Sequence, residues 1–192
     1  VLTHLACHNP RGAVVWEVRG NREGVHYLLG ADQAYIEKIK DIFHAHGSVQ
    51  FYEVSGESRR TVSVARQLKI THPTLSLNTT LTQSTIRAGL AAMSTTNPDT
   101  DIILQLVCGR GFSPSLIPTE LGDPTASWFN IIAGSVPKAT AEARKSVKEK
   151  AEQQGFQVAI RIGTTGHTTS ELKSLLSVFR ILESAGVRIR DE

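Results

Sequence analysis

The chain has 192 residues, 40% of them hydrophobic and 20% charged, with a formal net charge of +3. That length fits one large domain or two small ones with a real core, and the balance excludes a disordered or low-complexity chain. No apolar run approaches the ~20 residues of a membrane-spanning helix, the mild basicity permits an anionic partner without demanding one, and two cysteines about a hundred residues apart suit buried free thiols better than a disulfide framework.

The opening stretch, VLTHLACHNPRG, reads as the end of a helix and a turn, so the chain is expected to be a segment of something longer. Val14, Trp16 and Val18 then alternate as on one face of a strand, NREG turns the chain, and Val25, Tyr27 and Leu29 mark a second strand. Asp32 is placed to cap a helix whose apolar positions Tyr35, Ile36, Ile39, Ile42, Phe43 and Ala45 follow the helical period. Gly47 reads as its left-handed stop, and SVQFYEV as a further strand. Residues 55–65 are polar and turn-prone, the pattern of a linker.

The second half opens on RQLKITHPTLSLN, strand-like but broken by Pro73 and so expected at an edge or in two pieces. Thr80 and Gln83 fit a capping box for a helix to about Ser94, with Leu81, Ile86, Leu90 and Met93 inward. TDIILQLVCG and GFQVAIRIG are strands, the latter with Phe156, Val158, Ile160 and Ile162 on one face. Thr168 and Glu171 form a second capping box, Leu172, Leu175, Leu176, Phe179 and Leu182 make an apolar stripe, Gly186 ends the helix, and VRIR begins a closing strand.

These two halves repeat. A constant offset of 133 carries Val25, Tyr27, Leu29 and Gly30 onto Val158, Ile160, Ile162 and Gly163, and Ile39, Ile42 and Phe43 onto Leu172, Leu175 and Leu176. The expected fold is therefore α+β: two tandem ferredoxin-like (βαββαβ) modules, residues 1–54 lacking their opening strand and residues 66–192 carrying an insertion at 110–154. That insertion pairs a Pro-rich loop with a helix that starts after Pro137 and stops at Gly155.

Chemistry is sparse. GTTGHTTS lacks the spacing and lysine of a P-loop and reads as a strand-to-helix turn. HLACH offers two imidazoles and a thiol with no second cluster, so Cys7 is expected to pack inward instead of holding zinc. His44 and His46 suit a helix C-terminus electrostatically. No GxSxG nucleophile occurs, and the carboxylates pair on no facing elements. RGFSPSLI begins like an RNA-binding signature, then fails at Ser113 and Pro114. The insertion helix brings Lys138, Arg144, Lys145, Lys148 and Lys150 together with Glu142, Glu149 and Glu152, and its i,i+4 pairs favour an ordinary solvated face over phosphate tracking. Trp128 and Phe129, in a loop with few other reasons for aromatics, are the best candidates for a docking point, set against packing on their own domain.

The segments VVWEVRG…GVHYLLGAD, ILQLVCGRGFSPSLIP, KEKAEQQGFQVAIRIGTT and LLSVFRILESAGVRI resemble, in order and spacing, the region ahead of the motor in TraG-like conjugative DNA-transfer ATPases of type IV secretion in Gram-positive bacteria. The resemblance implies a cytoplasmic-side region of a longer, membrane-associated protein, with ATP and magnesium held by a RecA-like motor whose motifs do not occur here. It carries over no catalytic residue. The expected function is a non-catalytic accessory domain that joins other subunits of the secretion complex, with no cofactor or metal of its own and a homo-oligomeric state open to it. Docking would run through Trp128 and Phe129. The alternative is a nucleic-acid-binding module that touches DNA through Arg144, Lys145 and Lys148.

Overall fold

In the computed structural model, which describes residues 1–8, 12–55, 59–94, 97–167 and 169–192, the two-residue turn Arg22–Glu23 folds β1 (Val14–Asn21) onto β2 (Gly24–Gly30). β1 pairs on its other side with β4 (Ile102–Phe112), from Val14 opposite Cys108 to Gly20 opposite Ile102. β4 pairs with β5 (Gly155–Thr164), β5 with β3 (Val64–Ile70), and β3 with the short β6 (Ile189–Asp191). All pairings are antiparallel, giving one six-stranded sheet in the order β2-β1-β4-β5-β3-β6. The two halves of the sequence thus share a sheet, joined along β1 and β4.

The strand registers put Val14, Trp16 and Val18 on the same face as Ile102, Leu104, Leu106 and Cys108, and as Ile160 and Ile162. Helices cover this face in two patches. Over one half, α3 (Thr82–Ser94) and α6 (Ser170–Phe179) bury Met93, Leu172, Leu175 and Leu176 against Val18, Leu68, Ile102, Ile162 and Ile189. Over the other, α1 (Leu2–His8) and α2 (Gln33–His46) bury Leu5, Ile39, Ile42 and Phe43 against Val14 and Cys108. Trp16 packs against both patches and stacks on Phe43 with ring centroids 5.4 Å apart. The buried residues of α2 and α6 are the pairs that the 133-residue offset relates.

Several expectations change. SVQFYEV is no strand: Val49, Tyr52 and Val54 are exposed, and Phe51 alone turns in against Phe43 and His44. The reason is topological. Among the described residues, the closing strand β6 of the second half pairs only with β3, and the first half has no strand equivalent to β3. Gly47 is extended, with φ of 169°, and so is no left-handed stop. Asp32 does cap α2, accepting from the Ala34 amide at 2.9 Å. The Thr80 capping box gives way to Asn78, whose carboxamide oxygen accepts from the Thr80 amide and hydroxyl at the head of a 3-10 turn (Thr79–Leu81), and Leu81 and Ile86 point to solvent while Thr85 is buried. Thr168 lies outside the described residues, and the N-cap of α6 is Thr169 with no side-chain bond. Gly186 does adopt a left-handed φ of 79°, in the turn before β6 instead of at the helix end. Gly155 opens β5 and does not stop a helix. Cys7 is exposed and only Cys108 is buried.

On the opposite face the segment expected as a linker is tied down. The Arg19 guanidinium donates to the Arg60 carbonyl at 2.8 Å, Arg60 donates to the Pro98 carbonyl at 2.9 Å and lies 3.6 Å from Asp101, and the Ser63 hydroxyl donates to the Thr165 carbonyl. Beneath this strap Glu17, only 4% exposed, accepts from Arg19 Nε at 2.6 Å and from Gln105 Nε2 at 2.7 Å. Arg161 donates to Gln105 at 3.4 Å, which continues the polar row onto β5. A carboxylate this buried is tolerable because each of its two oxygens meets a charged or amide donor.

Candidate protein-docking surface

The insertion leaves the sheet where Phe112 and Gly155 pair, and its sequence explains its shape. Pro114, Pro118 and Pro124 lack amide protons, so the outgoing chain cannot continue a ladder. It is held instead by isolated bonds. The Ser115 amide donates to Ala151 at 2.8 Å, the Ala139 amide to Leu121 at 2.9 Å and the Asp123 amide to Pro137 at 2.8 Å, with a bridge between Gly122 and Lys138. These contacts bring residues 121–123 alongside 137–139, and the residues between them form a projecting finger.

Asp123 begins the finger's turn. Its carboxylate accepts from the Thr125 hydroxyl at 2.7 Å and the Thr125 amide at 2.8 Å, and those hydrogen bonds hold its pKa below the usual carboxylate value. Ser127 then caps the single-turn helix α4 (Trp128–Ile132), accepting from the Phe129 amide at 3.4 Å, and Gly134 ends it with φ of 66°. From Pro124 to Pro137 the sequence has no charged side chain. Trp128, Phe129, Ile131 and Ile132 are 59%, 63%, 61% and 74% exposed, with Val136 exposed beside them. The rings of Trp128 and Phe129 lie 3.7 Å apart, so they present one aromatic surface. Packing of these side chains onto their own domain is not what the geometry provides.

The finger is seated on the body by α5 (Ala141–Ala151), capped by Thr140. Ser146 accepts from the Ser76 amide at 2.8 Å through its hydroxyl, and from the Ser76 hydroxyl at 3.0 Å through its carbonyl. Lys150 donates to the carbonyls of Pro73 at 2.5 Å and Leu75 at 3.3 Å, and burial pushes its pKa below the usual lysine value. Arg144 reaches back to the Thr119 carbonyl at 2.6 Å and the Pro118 carbonyl at 3.3 Å. Lys145 sits 3.9 Å from Glu149, Lys148 3.6 Å from Glu152, and Lys138 3.3 Å from Glu120. Arg144, proposed from sequence for an interaction surface, therefore spends its donors inside the insertion, and Lys145 and Lys148 share their field with acids one turn on. Trp128 and Phe129 are at the tip; Arg144, Lys145 and Lys148 are on the supporting helix.

Sequence reasoning missed two features. Ile131, Ile132 and Val136 extend the aromatic pair into a patch, and the uncharged run between Asp123 and Lys138 was the available signal. The meeting of Glu17 and Asp101 around Arg19 and Arg60 was also missed, because alternation marks Glu17 and Arg19 only as one face of a strand, with no sign of what crosses it. Both carboxylates there face guanidinium groups, an arrangement that binds a segment down and offers no free acid–base pair. Among the described residues no group of three or more histidine, cysteine, aspartate or glutamate side chains could hold a metal, and no helix is long and apolar enough to cross a membrane. No protein-family model, curated protein or solved structure matches the chain.

Proposed function

We propose that this chain is a non-catalytic docking module of a conjugative type IV secretion ATPase, and that the insertion finger is its contact with another subunit of the transfer machine. The observation that carries the docking reading is the uncharged tip, whose two aromatic and two isoleucine side chains are all more than half exposed on a base fixed by Ser76, Lys150 and Arg144. Exposed aromatics on a rigid support lose little entropy on binding and are enriched among residues that dominate interface energy. The conjugation reading rests on the segment resemblance. It sets the module on the cytoplasmic side of the membrane, within a protein whose motor holds ATP and magnesium. The duplicated ferredoxin-like origin is supported by the strand order β4-β5-β3-β6 in the second half and by the matched buried residues of α2 and α6.

The test is co-purification of this chain with individually expressed subunits of a transfer complex, using wild type and Trp128→Ala/Phe129→Ala. Loss of about 2 kcal/mol or more at such an anchor corresponds to roughly 30-fold weaker binding. Binding by both proteins alike, or by neither, would refute the role of the finger. The nucleic-acid alternative predicts salt-sensitive micromolar binding to single- or double-stranded DNA that is lost on neutralising Arg144, Lys145 and Lys148. The ion pairs on α5 weigh against it.

A further inference from the structure

The helix-free face continues past the strap, which crosses β5 at Gly163 beneath Val62. The core fixes what this stretch displays. Leu68, Ile162 and Ile189 point to the helices, so their neighbours Gln67, Lys69, Arg161 and Arg190 point the other way. Arg161 stands opposite Gln67 and Lys69 opposite Arg190, which sets Lys69 diagonal to Arg161 at about 7–8 Å. Three exposed cations thus occupy three adjacent strands. Like charges directly opposite in a ladder repel, so this placement costs stability. Glu192 offsets Lys69, and neither Arg161 nor Arg190 has an ion pair among the described residues.

An aromatic shares this face. Arg110, Gly111 and Phe112, the part of RGFSPSLI that does match the RNA-binding signature, form the end of β4. The bulge between Cys108 and Gly111 shifts the alternation by one. Gly111 therefore pairs with Phe156 and meets the Ala6 backbone on the helix side, while Phe112, opposite Gly155, faces away from the helices and is 53% exposed. Along β5 from Gly155, the level of Lys69 is reached at Ala159 and Arg161 lies beyond it, about 14 and 20 Å away at the rise of an antiparallel strand. Val107, Gln157 and Ala159 lie between, all uncharged.

We propose that this face binds single-stranded nucleic acid, with a base stacked on Phe112 and the phosphate backbone running to Lys69, Arg161 and Arg190. An exposed ring on a sheet takes the face of an unpaired base, which a duplex keeps inside its own stack. Phosphate contacts and one stacking platform hold the strand without reading its sequence. This goes beyond the docking function and does not depend on it, because the finger is not part of the face. It is also separate from the cations of α5.

Fluorescence anisotropy of a labelled oligothymidylate of about ten nucleotides, titrated with the 192-residue chain, tests it. Three phosphate contacts predict an affinity that falls roughly 20-fold between about 50 and 200 mM salt. Phe112→Ala should weaken binding by about 5- to 150-fold, the worth of one stacked base, and leave the salt dependence as it was. Arg161→Gln combined with Arg190→Gln should cut the logarithmic salt slope to about a third. These side chains are exposed, so circular dichroism should report an unchanged fold. Neutralising Arg144, Lys145 and Lys148 should leave binding at the wild-type level, and so should Trp128→Ala/Phe129→Ala, which keeps this test apart from that of the finger. No binding at about 50 mM salt would overturn the proposal, as would indifference to Phe112→Ala or equal affinity for a duplex of the same length. Capture by phosphatidylserine vesicles in place of the oligonucleotide would overturn it too, by naming a lipid surface as the source of the phosphates.

Discussion

Glu17→Ala is the most searching test of how the helix-free face is held. The substitution removes both oxygens that accept from Arg19 Nε and Gln105 Nε2. The Arg19 side chain, 11% exposed, is left with the Arg60 carbonyl at 2.8 Å and a distant Asp101 carboxylate at 3.9 Å. Stranding a buried charge in this way costs about 3–5 kcal/mol. Glu17→Gln keeps an acceptor for Arg19 and loses the charge, so it should cost about 1.5–3 kcal/mol. Glu17→Leu combined with Arg19→Leu removes both charges and should recover most of the loss, because apolar replacements of a buried pair are often neutral. Urea denaturation followed by circular dichroism measures all three. In a chain of this size 3–5 kcal/mol also lowers the melting temperature by about 10 °C. If Glu17→Ala costs under about 1 kcal/mol, or the double leucine variant is no better than Glu17→Ala, the charges are not coupled as described.

Three further outcomes are expected. Gly111→Ala should destabilise the fold by about 1–3 kcal/mol, because a Cβ there would stand 2.7 Å from the Ala6 backbone carbonyl, which cannot rotate away; Gly134→Ser at the finger tip meets no neighbour and should lose only the smaller left-handed preference. Cys7 should react with a thiol reagent at the rate of a free peptide and Cys108 only on opening of the fold, and equal rates would contradict the assigned burial. Burial holds the Cys108 pKa above its usual 9.0, so the unfolded chain gives up that proton first; its contribution to stability is complete below pH 9.0 and is lost as the pH rises through the folded value, a loss that Cys108→Ala should remove from the alkaline limb of the stability profile.

What the sequence revealed divides by the range of the interactions involved. The β1–β2 turn, the Asp32 cap and the inward faces of α2 and α6 depend on neighbours within a few residues, and spacing alone locates them. SVQFYEV has the alternation of a strand, but a strand needs a partner, and propensity says nothing about whether one stands beside it. Similarly, Leu81 and Ile86 fit an inward stripe, yet the Asn78 cap and the 3-10 turn start the helix later and turn those side chains outward. The aromatic tip was visible as Trp128 and Phe129. Its support was not, because Lys150, Arg144 and Ser146 act through backbone carbonyls and a serine far away in the chain. The strap over Glu17 was hidden for the same reason.

Trp16 carries a consequence for how the molecule comes apart. Because one indole belongs to both apolar patches and stacks on Phe43, neither patch can melt without disturbing its neighbour, so unfolding should proceed as a single cooperative transition across the whole sheet. The chain also has an internal control for observing this. Its other tryptophan, Trp128, is already more than half exposed, so the burial lost on denaturation is chiefly that of Trp16, while a quencher such as iodide reads Trp128 in the folded protein.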